Sequence, residues 1–442
     1  MHRLSSARSH VDDARIGDGR GRRGTGVLVV ARTAWRSLGV AAFVWGGVMA
    51  RPAMAVSLHQ AIRDAWAQDP LRQSLMVDRQ AADNNADAAR SWFPGGPILS
   101  GQYYDDHALG SNQGYTTYQT GVAVPLWLPG QRSATIRQEQ AGGGVATAHL
   151  AMERMVMAVR VLRAALGGAT ARLNVQSLQD ERRALVEIES SARHLMDAGE
   201  ISSSDHAAVA SDLEAVEGRL TEARERLADE RAGLEELTGQ SDIPELDEVD
   251  GHALAAVRGG ATVEQAVDHD PRLRFAHAQV VAARASDDLA RRSFMPNPEV
   301  GVDAIHEKQY GSPWNTRVGV QLTVPLPSEA RNVPMRMKAV REIAAAEREE
   351  RQTRRAVRAD YSRALARLAA SLDILRHASG RDRVLARRIE DLRKGWVTGE
   401  TPVIEYLRAR QAGLEARLQQ QTASVEWRGA IAQMMIMAGE TP

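Results

Sequence analysis

Two periodicities run along this chain, and each occurs twice. From Thr116 to Leu126 the even positions are Thr116, Tyr118, Thr120, Val122, Val124 and Leu126, while Thr117, Gln119, Gly121 and Ala123 take the odd ones. Val318, Val320, Leu322, Val324 and Leu326 alternate with Arg317, Gly319, Gln321 and Thr323 in the same parity. A period of two with one apolar face predicts strands. Preceding strands are expected at about 98–106 and 298–307, with Leu99, Gly101, Tyr103 and Val300, Val302, Ala304 on the apolar side.

The second periodicity is that of a helical seam. Val209, Leu213, Val216, Leu220, Ala223, Leu227, Glu230, Leu234 and Leu237 advance in steps of four and three, as do Ile404, Leu407, Gln411, Leu414, Leu418, Gln421 and Val425. Such stripes pack against partner helices with coiled-coil geometry. No proline lies between Pro129 and Pro244, or between Pro334 and Pro402, so very long helices are allowed. At about 1.5 Å per residue, a helix over 133–197 would reach roughly 90 Å, with Gly142-Gly143-Gly144 as a candidate bend or break. Shorter helical stretches are expected at about 58–93 and 262–293, ended by Pro94 and Pro296.

The doubling extends to local wording. Gln60-Ala61-Ile62 ahead of Asp69-Pro70 recurs as Gln265-Ala266-Val267 ahead of Asp270-Pro271, and Ser91-Trp92-Phe93-Pro94 as Ser293-Phe294-Met295-Pro296. Val124-Pro125-Leu126 recurs as Val324-Pro325-Leu326, and Gly199-Glu200 before Asp205 as Gly399-Glu400 before Glu405. Ordered matches at nearly constant offset mark an internal repeat. The chain is therefore divided into residues 1–55, a first repeat 56–240, a linker or equatorial segment 241–260, and a second repeat 261–442.

Residues 1–55 carry nine arginines, then an apolar stretch from Leu38 to Met49 and a small-x-small site at Ala53-x-Ala55. That order is expected of a secretory signal peptide, with a short membrane anchor as the other reading and a true start further downstream. Beyond residue 55 no window approaches 18 continuous apolar residues, so helical spans are excluded. Export without a helical span leaves a periplasmic, secreted or outer-membrane β protein.

Composition narrows the chemistry. The 442 residues contain no cysteine, which excludes disulfides, zinc–thiolate sites and thiol catalysis. Fifty-six basic side chains balance 56 acidic ones, which gives no case for nucleic acid. No Gly-x-Ser-x-Gly, phosphate-binding loop or His-Glu-x-x-His occurs, so no enzyme, cofactor or metal site is expected. His107 and His306, at matched strand ends, are read as solvated loop residues.

Alternating strands of this length suit either a half-buried soluble sheet or a tilted bilayer crossing. Tyr103, Tyr104, Tyr115, Tyr118, Tyr310 and Trp314 cluster near strand ends, where interfacial aromatics are expected, and favour the membrane. Four strands cannot close a barrel, and an open edge in lipid is costly, so several chains must then share one.

At this point the residues carry a resemblance. The doubled plan, together with Val124-Pro125-Leu126-Trp127-Leu128-Pro129-Gly130-Gln131-Arg132 and Ser91-Trp92-Phe93-Pro94-Gly95-Gly96-Pro97, resembles the TolC-type outer-membrane efflux factors over nearly the whole chain. The Trp-Leu-Pro-Gly-Gln-Arg wording is most similar to the branch that accompanies heavy-metal resistance-nodulation-division pumps. The resemblance implies a mainly α protein with a small transmembrane β part: a homotrimer whose strands form a 12-stranded β-barrel continued by a periplasmic α-barrel. It implies an outer-membrane exit duct, passively conducting substrates from an inner-membrane pump through a periplasmic adaptor. The cysteine on which many relatives are lipidated is missing here.

Residue by residue, the resemblance places a periplasmic gate at Asp205, Trp396, Glu405 and Arg408. It places adaptor-docking turns at Gly199, Glu200, Ile201, Ser202 and at Gly399, Glu400, Thr401, Pro402. Those turns also read as helix stops followed by N-caps, Pro402 near a first helical position. Arg408 stands where relatives often carry a second acid, and it would offset an acidic ring at Glu405. A periplasmic adaptor or a structural coiled-coil envelope protein would also be exported and seam-rich. The first would show one helical hairpin between β-rich halves, and the second leaves the doubled strands without a role.

Overall fold

The computed structural model describes residues 56–107, 109–110, 113–199, 201–246, 263–398 and 400–439. The expected signal peptide, most of the 241–260 linker, and the turn residues Glu200 and Gly399 lie outside the described residues. The order helix, helix, strand, strand, long helix, helix occurs twice. It runs α1 (Leu58–Gln68), α2 (Pro70–Ala88), β1 (Ile98–Asp105), β2 (Thr116–Pro125), α3 (Gln131–Asp197), α4 (Ser203–Thr238). It then repeats as α5 (Val263–His269), α6 (Pro271–Arg292), β3 (Glu299–Lys308), β4 (Asn315–Thr323), α7 (Glu329–Val397), α8 (Val403–Met437). Among the described residues no helix is long and apolar enough to cross a membrane.

The first helical stretch of each half is two helices rather than the single one expected, and α2 ends before residue 93. A residue preceding proline is pushed out of the α region; Asp69 and Asp270 are extended, at ψ 117° and 129°. Each then caps the next helix by accepting an amide hydrogen bond, from Leu71 at 2.9 Å and from Arg272 at 2.9 Å. Asp270 is fully buried. Its charge is met by Arg272, whose guanidinium also reaches Asp360 of α7 at 2.6 Å.

The 67 residues of α3 pass through Gly142-Gly143-Gly144 without the expected break. Here α2 packs on α3, with Ala82 only 3.6 Å from where a side chain on Gly143 would begin. Tertiary packing outweighs the poor helix propensity of glycine. In α7, Pro334 falls within the second turn, where few intrahelical bonds are lost.

The main core lies where α1, α3, α5, α7 and α8 meet, around Leu58, Ile62, Val161, Val267, Val357 and Ile431. Each such burial stabilises by about 1.5–3 kcal/mol. The Tyr361 hydroxyl donates to the Met437 carbonyl inside this core, and burial pushes its pKa up to about 12. Lower down, Val175 and Leu178 of α3 meet Leu220 and Ala223 of α4, along the seam expected for α4.

In α8 the seam differs from expectation. Over residues 405–425 the buried positions are Tyr406, Ala409, Ala416 and Ala423, while Leu407, Leu414, Leu418 and Val425 are half-buried and Gln411 is exposed. Small side chains, with Gly413 directly against Ile389, bring α8 close to α7. The leucines turn toward α3 and α4.

Candidate functional site

One sheet joins the two halves, in the order β1-β2-β3-β4 and antiparallel throughout. Its register decides what each face carries. Leu99, Val122, Val302 and Val320 lie in one cross-strand row; Val124, Val300 and Leu322 form the next. Most of these side chains are exposed, Leu99 at 79% and Val320 at 78%, while Val124 and Val300 are half-buried. The parity read from the sequence thus places most apolar residues of all four strands on one uncovered face, with Ile98 and Ile305 as exceptions on the other.

The opposite face is polar. Gln102, Gln119 and Arg317 share a row with Ile305. The Gln119 amide donates to Asp303 at 3.3 Å, and Arg317 pairs with Glu307. Gly121 and Gly319 flank Asp303, leaving its carboxylate room above the sheet.

Aromatic rings mark the strand ends farthest from the helices. Tyr103 meets Tyr118 at 5.1 Å, Tyr118 meets Trp314 at 6.0 Å, and Trp314 stacks on His306 at 4.5 Å. His306 is therefore a strand residue in this belt, bonded to Thr316 at 2.9 Å, not a solvated loop residue. Eight residues separate Tyr118 from Leu126, about 26 Å at 3.3 Å per residue. At a barrel strand's tilt of about 40° that length rises about 20 Å, most of an apolar band of about 25 Å. β1 and β4 are the outer strands, and each leaves one row of backbone groups without a neighbour among the described strands.

Where sheet meets helix, the two quoted motifs touch. Gly130 adopts φ 75° ahead of α3, a turn that glycine makes without strain. The Gln131 side chain accepts from the Leu128 amide at 3.0 Å and from Asn297 at 2.8 Å, while Asn297 also donates to the Leu126 carbonyl at 2.8 Å. Trp127 donates to the Ser91 carbonyl at 3.2 Å.

The far ends of the long helices form the second region. α3 stops at Gly199, φ 75°. Ser202 caps α4 in a reciprocal box: its hydroxyl accepts from the Asp205 amide at 3.1 Å, and Asp205 accepts from the Ser202 amide at 3.3 Å. Ile201, Asp205, Trp396 and Arg408 line one cavity of about 460 Å³ between α3, α4 and α8. Its walls are chiefly apolar, with Leu185, Ile188 and Leu407 among them. Pro402 is the N-cap of α8 rather than its first residue, and Thr401 and Glu400 donate their amides to the Gly395 carbonyl.

Glu405 is not in that cavity. It faces the groove between α7 and α8, 3.9 Å from Arg388, and Arg408 borders both spaces. Tyr406, absent from the expected set, is buried against Trp396. An aromatic in the first turn of α8 was its only sequence signal.

Among the described residues one group has metal-ligand composition, Asp105, Asp106 and His107 beyond β1. Asp106 already accepts the Gln113 and Tyr115 amides, at 2.8 and 2.9 Å, and His107 bonds Asp105, so these side chains shape the loop.

Residues 262–440 match the family model described as outer membrane efflux protein. No curated protein matches the sequence. Three solved structures share the fold at low identity. A membrane protein from Pseudomonas aeruginosa is 15% identical, with a TM-score of 0.69 over 88% of this chain and 91% of that one. The MtrE outer membrane channel of Neisseria gonorrhoeae, in an open state, is 14% identical, with a TM-score of 0.67 over 87% and 89%. CusC, described for conformational changes accompanying folding and transmembrane channel formation, is 14% identical, with a TM-score of 0.62 over 87% and 93%.

Proposed function

We propose that this chain is a member of the outer membrane efflux protein family, whose model its second half matches, and that it is the exit duct of a tripartite efflux system. Three copies would each give four strands to one barrel in the outer membrane, with the helices extending into the periplasm. The observation that carries this is the sheet: one exposed apolar face, one polar face, and two open edges in a single chain. In lipid every unpaired backbone group costs several kcal/mol, so the edges of β1 and β4 must meet their counterparts in identical neighbours.

The polar face then lines the lumen, and a duct needs nothing more than a wet path and a gate. Asp205, Trp396 and Arg408 are proposed as the gate region, with Glu405 held apart by Arg388. The turns Gly199–Ser202 and Gly399–Pro402 are proposed as the docking site of a periplasmic adaptor, itself joined to an inner-membrane pump. The division into a first repeat 56–240 and a second 261–442, joined by 241–260, fits the doubled element order.

Heavy-metal cations are the proposed cargo, on the Trp127–Arg132 wording, and Glu299, Asp303 and Glu307 on the lumenal face suit cations. The purified chain should run as a heat-modifiable trimer from outer-membrane fractions and conduct ions in planar bilayers. A soluble monomer that never inserts overturns the proposal. A deletion strain tested against metal salts and organic drugs separates the cargo classes.

A further inference from the structure

The helices of one chain form an open row, and its two flanks carry opposite charge. Below the core the packing order is α4, α3, α8, α7: α4 packs on α3 and α1, and α7 on α8, α6 and α5. α4 holds ten acidic residues against four arginines, whereas α7 holds sixteen arginines and two lysines against ten acids.

The excess is concentrated on faces that no described helix covers. Val216, Leu220, Ala223 and Leu234 turn one side of α4 inward. At 3.6 residues per turn the opposite side carries Glu214, Glu222, Glu225, Asp229 and Glu236, all exposed, with only Ser, Thr, Ala and Gly between them. None of these five acids has an ion-pair partner among the described residues. On α7, Val357, Ala364 and Leu368 face inward, and the outward stripe near the lower end reads Arg376, Arg383, Arg387, Glu390 and Lys394, with Arg376 paired to Asp373 at 3.2 Å and Lys394 to Glu390 at 3.8 Å within the helix. Arg383 and Arg387 make no ion pair there, and Val384 between them is 67% exposed.

The two stripes are also level. α4 begins and α7 ends at the same end of the molecule, because Trp396 shares one cavity with Ile201 and Asp205. Glu214 lies eleven residues above that start and Arg387 ten above that end; Glu225 lies 22 above and Arg376 21.

We propose that the acidic face of α4 docks on the basic stripe of α7 in a second copy of this chain, Glu214 toward Arg387 and Glu225 toward Arg376. This rests on the trimer reading and adds its recognition code. The contact is head-to-tail, so three copies close a ring. Val384 is then covered by the small residues of α4. Charge complementarity sets partner choice, register and association rate more than raw affinity.

Reversing Glu214→Lys with Glu225→Lys should speed trimer dissociation in detergent about tenfold per position, as expected for like charges facing each other. Adding Arg387→Glu with Arg376→Glu to the same chain should restore the lifetime. High salt should shorten the wild-type lifetime and leave an uncharged Gln/Gln variant indifferent. Because the chain has no cysteine, Glu225→Cys with Arg376→Cys offers a second measurement. A short bismaleimide matched to interhelical distances of about 8–10 Å should yield covalent dimers and trimers, since the two sites lie on opposite flanks of one chain. A stable wild-type trimer that is indifferent to charge reversal and gives no intermolecular cross-link sinks the pairing alone. A wild-type chain that remains monomeric sinks the trimer reading as well.

Discussion

Trp396 near the end of α7 and Tyr406 in the first turn of α8 stack face to face, ring centroids 5.4 Å apart and planes 7° from parallel. The pair clamps the turn between the two helices and walls the cavity that also holds Asp205 and Arg408. Aromatic pairs of this kind contribute about 0.5–1.5 kcal/mol beyond burial. Trp396→Ala should loosen this end and raise single-channel conductance in planar bilayers, while Tyr406→Phe, which keeps the ring, should not. Equal conductance for Trp396→Ala and wild type would remove the pair from any gate.

Asp205 and Glu405 occupy matched positions after their turns, yet only Asp205 completes a capping box. Asp205→Ala should cost about 0.5–1 kcal/mol in thermal unfolding, the value of the one reciprocal hydrogen bond it supplies to the box, and increase conductance. Glu405→Ala should leave both nearly unchanged, since its one ion pair is long and exposed. A larger effect from Glu405 reverses the assignment.

The two sheet faces should tolerate opposite substitutions. Val320→Lys, at the middle of the apolar face, should cost about 2–4 kcal/mol if lipid covers it and abolish heat-modifiable trimers. Gln321→Lys, the next residue on the polar face, should insert normally and change only ion selectivity. Similar behaviour of the two variants argues for a soluble sheet.

Tyr361 titrates near 10.0 when unfolded and near 12 when folded, because burial disfavours its charged form. A raised folded-state value means stability is complete below pH 10 and is lost as the pH climbs toward 12, by about 3 kcal/mol in all. The melting temperature should fall over that window in the wild type and less steeply in Tyr361→Phe. Parallel curves would show that the hydroxyl is not sealed in the core.

Asp270 should be the more sensitive of the two Asp-Pro caps. It is fully buried with Arg272, whereas Asp69 is only half-buried. Asp270→Ala removes a buried cap and its bonds to Arg272, while Arg272 keeps Asp360, so it should cost about 2–3 kcal/mol and lower the denaturation midpoint beyond Asp69→Ala. Equal losses would mean that the arginine pairs add nothing to the cap.

The alternation at 116–126 and 317–326 was enough to assign both faces of β2 and β4, because side chains on a strand must alternate whatever the fold. The doubled wording likewise exposed the doubled order of elements. The same rules failed where neighbours outweigh local preference. Glycines 142–144 read as a break but are held in helix by α2. The leucine stripe of α8 read as its seam, but alanines took that place because α7 comes so close. Glu405 and Asp205 looked equivalent by position, and differ because Arg388 lies beside one and Ser202 beside the other.

By itself, then, the sequence determined period, parity, repeat and turn, all of which act between residues close along the chain. Only the tertiary structure decided that four distant strands share one register, that Trp396 meets Tyr406, and that the acidic face of α4 and the basic stripe of α7 end up on opposite flanks. Those outcomes depend on which helices pack side by side, a choice made by long-range burial that no local spacing encodes.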